Sequence, residues 1–384
     1  MSAMSQVEDL PARPDFSETR RDILKARHLP GYVYTSPEIY EREVDQIFMK
    51  DWLCVARVEE FQNPGDYQAL RIATEPVIIC RGEDGALNAF SNVCAHRGVE
   101  VIRGEGTVKE FSCPYHGWLY DLEGRLAGAP HRKGVEDFDF ANCRLPQLKI
   151  DTWGGFVFIN FDSAAPPLGE YLDVDDIRKE ADFLRHEDTR MADKFVTEIN
   201  CNWKLVTENL MDIYHVGVIH STSFGKNFPV DNFKFNLTRR GYHAFYQSLT
   251  MAPEGVSLFG PIPWLKDKDP MFACTFLVPP NMNLFGRFDV LQPWIVYPLG
   301  PDRCVITIYT LFPKEYFDMP AFDERAQIYR DFIRLVGDED KEMIESLQRG
   351  FKSRAYKPGP MVGLEAAIHN RINVYIDRIF GTEK

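Results

Sequence analysis

Two short runs concentrate the residues of this chain that can hold a metal. Cys94-Ala95-His96 and Cys113-Pro114-Tyr115-His116 each pair a thiolate donor with an imidazole donor, and 16 residues separate the pairs. A second group follows about a hundred residues later, where "NWKLVTENLMDIYHVGVIH" (202–220) holds Asp212, His215 and His220. With eight cysteines and nine histidines in 384 residues, this clustering is the main chemical signal.

The first group admits two metals. Structural zinc accepts cysteine and histidine, but its motifs usually leave two or more residues between paired ligands, and Cys94 and His96 are separated by one. A Rieske-type [2Fe-2S] cluster needs this mixed set, with thiolates on one iron and neutral imidazoles on the other. Each run supplies one sulfur and one nitrogen. Gly98 and Gly117 suit tight loops, Pro114 stiffens the second, and Trp118 with Tyr115 are expected to shield the cluster.

"CAHRG" and "CPYHGW" at this spacing resemble the Rieske motif of ring-hydroxylating, non-haem iron oxygenases. A Rieske centre only passes electrons, so the rest of the chain must supply the reaction site. Two histidines and one carboxylate form the facial triad of non-haem Fe(II) oxygenases. His215 and His220 are the histidines. On a helix they would point about 140° apart, so the helix must end between them, with Gly217 the expected stop.

The carboxylate is sought in "VGDEDKEMIESLQRGF", where Asp340, Met343, Ile344, Leu347 and Phe351 share one stripe and Asp338, Lys341, Glu342 and Glu345 the opposite, solvated face. An acid on an apolar stripe needs a partner. Asp340 is therefore the expected third iron ligand, with Glu339 and Asp338 as rivals.

The resemblance runs nearly the whole chain and implies a catalytic α subunit, one Rieske cluster and one mononuclear Fe(II) per subunit, and homotrimers, in some cases with a small β subunit. It implies that Asp212 bridges His215 to the neighbouring subunit's Rieske histidine. It also implies electrons from NAD(P)H delivered indirectly by a ferredoxin or reductase, and oxygen inserted by cis-dihydroxylation or monooxygenation.

The elements that must position these residues read as α+β. Residues 1–45 look polar and partly helical, with Ser36 a plausible N-cap, and belong by resemblance to the catalytic domain. Residues 46–165 are short apolar and alternating runs between turn residues, an all-β Rieske domain. Residues 166–384 place helices near 200–217 and 321–350 around a β-rich stretch. The resemblance makes this catalytic domain a helix-grip (START-like) fold with an antiparallel sheet flanked by helices.

A net charge of −13 disfavours nucleic acid. No apolar run of about 20 residues argues for a membrane span, and the N-terminus lacks a signal-peptide pattern, which points to the cytoplasm. The six cysteines outside the motif, Cys54, Cys80, Cys143, Cys201, Cys274 and Cys304, read as small buried apolar residues. His28, His131, His186, His243 and His369 read as surface or hydrogen-bonded core residues. Around the cluster, residues 97–133 carry six basic side chains against five acidic, a local excess that suits an acidic electron donor.

For the substrate, Phe224, Phe228, Phe233, Phe235, Phe245, Tyr246, Phe259 and Trp264 suit an apolar pocket for an aromatic ring or simply a sheet core. Aromatic residues also hold quaternary ammonium groups, so a betaine- or carnitine-type substrate is the second reading, with Asp212 rather than Glu at the bridge favouring the aromatic one. A carboxylated ring would need Arg239, Arg240, Arg287 or Lys226 as its counter-charge. The remaining alternative, an electron carrier without oxygenase activity, is separated by metal analysis: an oxygenase subunit is expected to contain about three irons, a carrier about two.

Overall fold

The computed structural model describes residues 14–381 apart from 226, 227, 229, 231 and 232. Lys226 therefore lies outside the described residues.

The second half is built on a seven-stranded antiparallel sheet. Its order is Thr189–Ile199, Arg303–Pro313, Trp294–Gly300, Met282–Arg287, Phe272–Val278, Tyr242–Gln247 and Asn236–Leu237. The strand Arg303–Pro313 is buried from Cys304 onward, because both faces of the sheet are covered. Strand alternation divides its side chains. Ile308 faces Gly337 of the long helix Phe322–Phe351. Tyr309 points the other way, to Glu60, whose Oε1 accepts its hydroxyl proton at 2.7 Å.

The first half consists of three small antiparallel sheets. One, made of Leu53–Arg57, Phe156–Asn160 and Lys149–Trp153, is part of the main hydrophobic core. The Asn281 side chain clamps it to the catalytic sheet, donating to the Cys54 carbonyl at 2.9 Å and accepting from the Cys54 N–H at 3.1 Å. The lobe carrying the cysteine–histidine loops has its own core of Ile78, Phe90, Phe111, Trp118, Tyr120, Leu122 and Leu145.

Ser36 caps the helix Pro37–Glu43 as expected, accepting from the Ile39 N–H at 3.3 Å. That helix ends in Glu43, fully buried, which accepts from Trp203 Nε1 at 2.7 Å, from the Tyr375 hydroxyl at 2.6 Å, and from Lys204 Nζ. One carboxylate thus ties the N-terminal segment to the helices Trp203–Asn209 and Ala366–Phe380.

Two expectations need correction. The stretch 200–217 is not one helix: Trp203–Asn209 ends, the chain turns, and a one-turn helix Val216–Ile219 follows. Gly217 lies inside that turn and is not its stop. The buried seam of the long helix is Ile333, Val336, Asp340, Ile344 and Gln348, whereas Met343 and Leu347 are exposed. A step of three and then four residues, set by contacts with the sheet and with Asn202, whose N–H donates to Gln348 Oε1 at 2.9 Å, displaced the stripe drawn from hydropathy alone. On the face read as solvated, Lys341 instead donates to the Glu198 carbonyl and Glu345 accepts from Asn200.

Removing one partner of a buried ion pair leaves an uncompensated charge, which costs about 3–5 kcal/mol. Lys204→Met is expected to lower the urea unfolding free energy by that amount. Lys50→Met, whose partner Asp162 is at the surface, is expected to change it by less than about 1 kcal/mol.

Candidate metal centres and active site

The two cysteine–histidine loops have nearly the same local build. In each, a glycine at positive φ (Gly98 at 75°, Gly117 at 68°) turns the chain so that its N–H bonds back to the cysteine carbonyl, at 2.9 Å for Cys94 and 3.0 Å for Cys113. The turns bury the sulfurs and expose the imidazoles. His96 Nδ1 and His116 Nδ1 converge to 3.0 Å, the disposition of two nitrogens sharing one target. These four residues fit a cluster with its thiolate iron inward and its imidazole iron at the surface.

Trp118 is buried and stacks on His96 at 5.0 Å and 6°. Tyr115 is 54% exposed and lies on the outer side of His116, so only Trp118 acts as the shield expected of both. The reading missed Tyr120. Its oxygen accepts from the Ala95 N–H at 3.0 Å and stands 3.3 Å from Cys94 Sγ, within hydrogen-bond reach. Alternation along one strand was the available signal, since Trp118 and Tyr120 are two residues apart. Around this rim Glu100 pairs with Arg71 and Arg103, and Asp121 with Arg125. These pairs match base with acid and leave the excess of one positive charge in residues 97–133 unchanged.

The second centre gathers His215, His220 and Asp340, one ligand atom from each lying within 4.8 Å of the others. His215 precedes and His220 follows the one-turn helix Val216–Ile219, and this brings histidines five apart to one point. Gly225 packs against that turn, and a Cβ there would stand 2.2 Å from the Val216 carbonyl oxygen. Asp340 Oδ1 lies 3.1 Å from His220 Nε2 and 3.5 Å from His215 Nε2, yet this buried oxygen makes no hydrogen bond. Three lone-pair donors aimed at one point, one of them an orphaned carboxylate oxygen, are a fit for a divalent metal.

The rivals fall elsewhere. Asp338 is exposed. Glu339 stands behind His220, its Oε2 2.7 Å from Nδ1 and accepting from Ser223 Oγ at 2.8 Å. This is the carboxylate–histidine arrangement that fixes a ligand's tautomer. Burial works to lower the His220 pKa, but Asp340 and Glu339 outweigh it and the net shift is upward.

Asp212 sits in the non-helical turn, where its Oδ1 accepts from the Tyr214 N–H at 2.7 Å and its Oδ2 stands 3.2 Å from His215 Nδ1. The bond to Tyr214 closes an Asx-type turn, which brings Asp212 beside His215. One turn earlier, burial raises the Glu208 carboxyl to about 7, against the Tyr34 hydroxyl it accepts at 2.9 Å.

A cavity of about 90 Å³ opens beside the triad. Phe224, Phe228, Phe233, Phe235 and Tyr246 line it, together with Arg287, Gln292 and Asp212. Phe245, Phe259 and Trp264 do not; Phe259 belongs to a separate cluster with Phe312 and Tyr329. Arg240 is paired with Asp175 at 2.6 Å, and Arg239 and Arg240 line a different cavity. Of the cationic candidates, Arg287 faces the metal centre.

Of the remaining histidines, His28 meets Glu365 at 3.1 Å, His369 meets the Thr19 carbonyl at 3.1 Å, and His186 is buried, with its pKa lowered to about 3 by burial and then by Arg57. His131 is exposed on the rim of the recess beside His96 and His116.

Residues 51–139 match the Rieske [2Fe-2S] domain and residues 182–381 the ring hydroxylating alpha subunit (catalytic domain). The chain belongs to the Rieske non-haem iron oxygenases, as a catalytic α subunit with a [2Fe-2S] cluster and a mononuclear iron, drawing on NAD(P)H indirectly. It is the terminal oxygenase component, an oxidoreductase that uses O2 to hydroxylate a small organic substrate and receives its electrons from a partner protein.

Within that family it is 33% identical to the carnitine monooxygenase oxygenase subunit of Acinetobacter pittii, over 92% of each chain. It is 34% identical to the 2-aminobenzenesulfonate 2,3-dioxygenase subunit alpha of Alcaligenes sp over 199 residues, 51% of this chain and 50% of that one. A solved quaternary ammonium Rieske monooxygenase, described for carnitine oxidation by gut microbiota and inter-subunit electron transfer, superposes with a TM-score of 0.78 at 27% identity, covering 96% of this chain and 98% of that one.

Asp340→Ala is expected to reduce the iron content from about three per chain to about two, with the cluster's visible spectrum unchanged. Glu339→Ala is expected to weaken mononuclear iron binding about 10- to 100-fold, and Glu339→Gln, which keeps an acceptor for His220, to restore most of it. Iron titration of the apo-proteins checks both.

Proposed function

We propose that Cys94, His96, Cys113 and His116 hold the [2Fe-2S] cluster, that His215, His220 and Asp340 hold the mononuclear iron, and that Asp212 links one to the other across a subunit interface. The observation that carries this reading is the buried, orphaned Asp340 oxygen facing two imidazoles in the wall of a cavity. When bound, the cluster supplies single electrons, and the iron supplies the O2 chemistry that hydroxylates a carbon of the substrate.

The chain's own residues perform the rest. Glu339 holds His220 with its Nε2 toward the metal position, whereas Asp212 Oδ2 stands 3.2 Å from His215 Nδ1 without a hydrogen bond, so that both atoms keep capacity for a further partner. Asp212 keeps 22% exposure, and exposed Tyr214 and Val218 flank it. On the cluster side His116 is exposed, with Tyr115, Val135 and Phe138 exposed around it. Apolar side chains at the rims of two half-sites support a homotrimer in which one subunit's His116 meets its neighbour's Asp212. An acidic ferredoxin or a reductase is the electron donor in this reading, with residues 1–45 and 166–384 forming the catalytic unit and 46–165 the Rieske unit. The compartment is the cytoplasm. Among the described residues no helix is long and apolar enough to cross a membrane.

For the substrate, monooxygenation of a betaine-type quaternary ammonium compound is favoured by the carnitine-oxidising relatives and by an aromatic wall whose π faces attract such cations. Hydroxylation or dihydroxylation of an aromatic ring is the second reading, favoured by the match to the aminobenzenesulfonate enzyme and by a wall in which Phe228, Phe233 and Tyr246 touch one another at 4.7–6.1 Å between centres.

Incubation with quaternary ammonium and aromatic panels, O2, NADH and a surrogate reductase is the test. A hydroxylated or demethylated ammonium product supports the first reading, and a ring diol or phenol replaces it with the second. In the same assay Asp212→Asn, which loses a charge and an acceptor, is expected to leave cluster reduction by the donor and iron binding intact while turnover collapses. Rapid-mixing absorbance reads it: reoxidation of the reduced cluster at the wild-type rate in Asp212→Asn rejects the bridge.

A further inference from the structure

The catalytic cavity holds one charge that its metal centre does not explain. Arg287 closes the strand Met282–Arg287 and is 6% exposed, yet its guanidinium meets only neutral acceptors. Nε donates to the Leu249 carbonyl at 3.3 Å and Nη1 to Gln292 Oε1 at 3.4 Å. Both bonds are long. Among the described residues no carboxylate makes an ion pair with it, whereas buried Arg57 has Glu59 at 2.6 Å and Arg240 has Asp175 at 2.6 Å.

The nearest acid in sequence does not serve. Asp289 is fully buried, with Oδ1 accepting from Thr250 Oγ1 at 2.6 Å and Oδ2 from the Tyr329 hydroxyl. A second orphan stands beside the arginine. Gln292 is 1% exposed, lines the same cavity and gives its Oε1 to Arg287, and its Nε2 has no partner among the described residues. The guanidinium lies 5.7 Å from the centre of the Phe224 ring, and that ring lies 4.8 Å from His220. The cation is one aromatic ring away from the triad.

An arginine stays charged in any protein environment, and a buried charge is costly until an opposite charge meets it. Its planar fork matches a carboxylate in two parallel bonds. We propose that Arg287, assisted by the Gln292 amide, binds a carboxylate of the substrate, so that the molecules this oxygenase accepts are organic acids. The inference rests on the oxygenase reading above and narrows it. Arg287 repels a simple ammonium ion and gains nothing from a neutral hydrocarbon, but it accepts a betaine or a carboxylated ring. By taking the acid end it fixes which end of the molecule faces the metal. A sulfonate offers the same charge and acceptors, and the test includes one.

The probes are benzoate, benzenesulfonate and a trimethylammonium butyrate, with the methyl esters of the two carboxylates as matched controls. Thermal unfolding of the purified holoenzyme is expected to shift upward with a carboxylate and not with its ester, and Arg287→Gln is expected to abolish the shift. In the coupled oxygenase assay the same substitution is expected to raise the KM of an accepted acid about 10- to 100-fold, the size of a lost charge-assisted hydrogen bond, with kcat changing far less. Arg287→Lys keeps the charge and is expected to retain part of the shift.

Esters that bind and turn over as well as acids on the wild-type enzyme overturn the proposal, as does an unchanged KM in Arg287→Gln. A shift with benzenesulfonate alone replaces carboxylate by sulfonate and overturns the narrower assignment. If Arg287→Gln does not fold, Gln292→Ala reads the same site: severalfold weaker acid binding supports it and unchanged binding rejects it. An acid-specific shift lost in Arg287→Gln, with no oxygenated product from any probe, upholds the anion site and counts against the oxygenase reading instead.

Discussion

Three lone-pair donors held at one point without a proton to share are unstable by themselves, and much of the catalytic half is arranged around that constraint. Asp340 Oδ1 faces His220 Nε2 and His215 Nε2 with no hydrogen bond of its own. A divalent cation removes the conflict. Placing Asp340 there requires the long helix to lie across the sheet on its Ile333–Val336–Ile344–Gln348 seam. Placing the histidines requires the chain to break after Asn209 and restart at Val216. Glu339 then fixes the His220 ring from behind, and Asp212 stands 3.2 Å from His215.

The cluster lobe solves the converse problem. Its two sulfurs are buried and its two imidazoles reach the surface. Two loops closed by a glycine N–H donating to a cysteine carbonyl achieve both, with Trp118 and Tyr120 beneath. No residue lining the recess beside His96 and His116 also lines the catalytic cavity, so within one chain the two centres are separate.

Much of this was legible in the sequence, because metal ligands are sparse residue types and their spacing is a local property. Cys94, His96, Cys113 and His116 announce themselves within 23 residues, and the pair His215 and His220 gains meaning beside them. The α+β class was visible in the strand runs. Asp340 was legible through its apolar neighbours, although the wheel that selected it wrongly included Met343 and Leu347, since burial there follows contacts with the sheet and not hydropathy. The turn that carries Asp212 was not legible. Residues 210–215 have no glycine or proline to announce a break, yet the helix ends at Asn209. Likewise the aromatic residues after His220 could not be sorted: Phe224 and Phe259 read alike, yet one faces the metal and the other a separate core. Arg287 gained its significance only from the partners it lacks.

The separate core of the cluster lobe has a consequence for how this protein fails. Cooperative units of a structure open independently when few buried contacts join them. Ile78, Phe90, Phe111, Tyr120 and Leu145 pack with one another and not with the main core, while the neighbouring sheet Leu53–Arg57, Phe156–Asn160 and Lys149–Trp153 is merged with it. An oxygen-using enzyme is exposed to oxidants of its own making, and an iron–sulfur cluster is a vulnerable part. When it is lost, the lobe gives up the bonds that hold its two loops, but the sheet beneath it stays anchored through Asn281 and Glu60. Loss of the cluster is therefore expected to loosen the two loops while the strands beneath them, whose other face places Val77, Ile79 and Ala89 in the main core, stay folded.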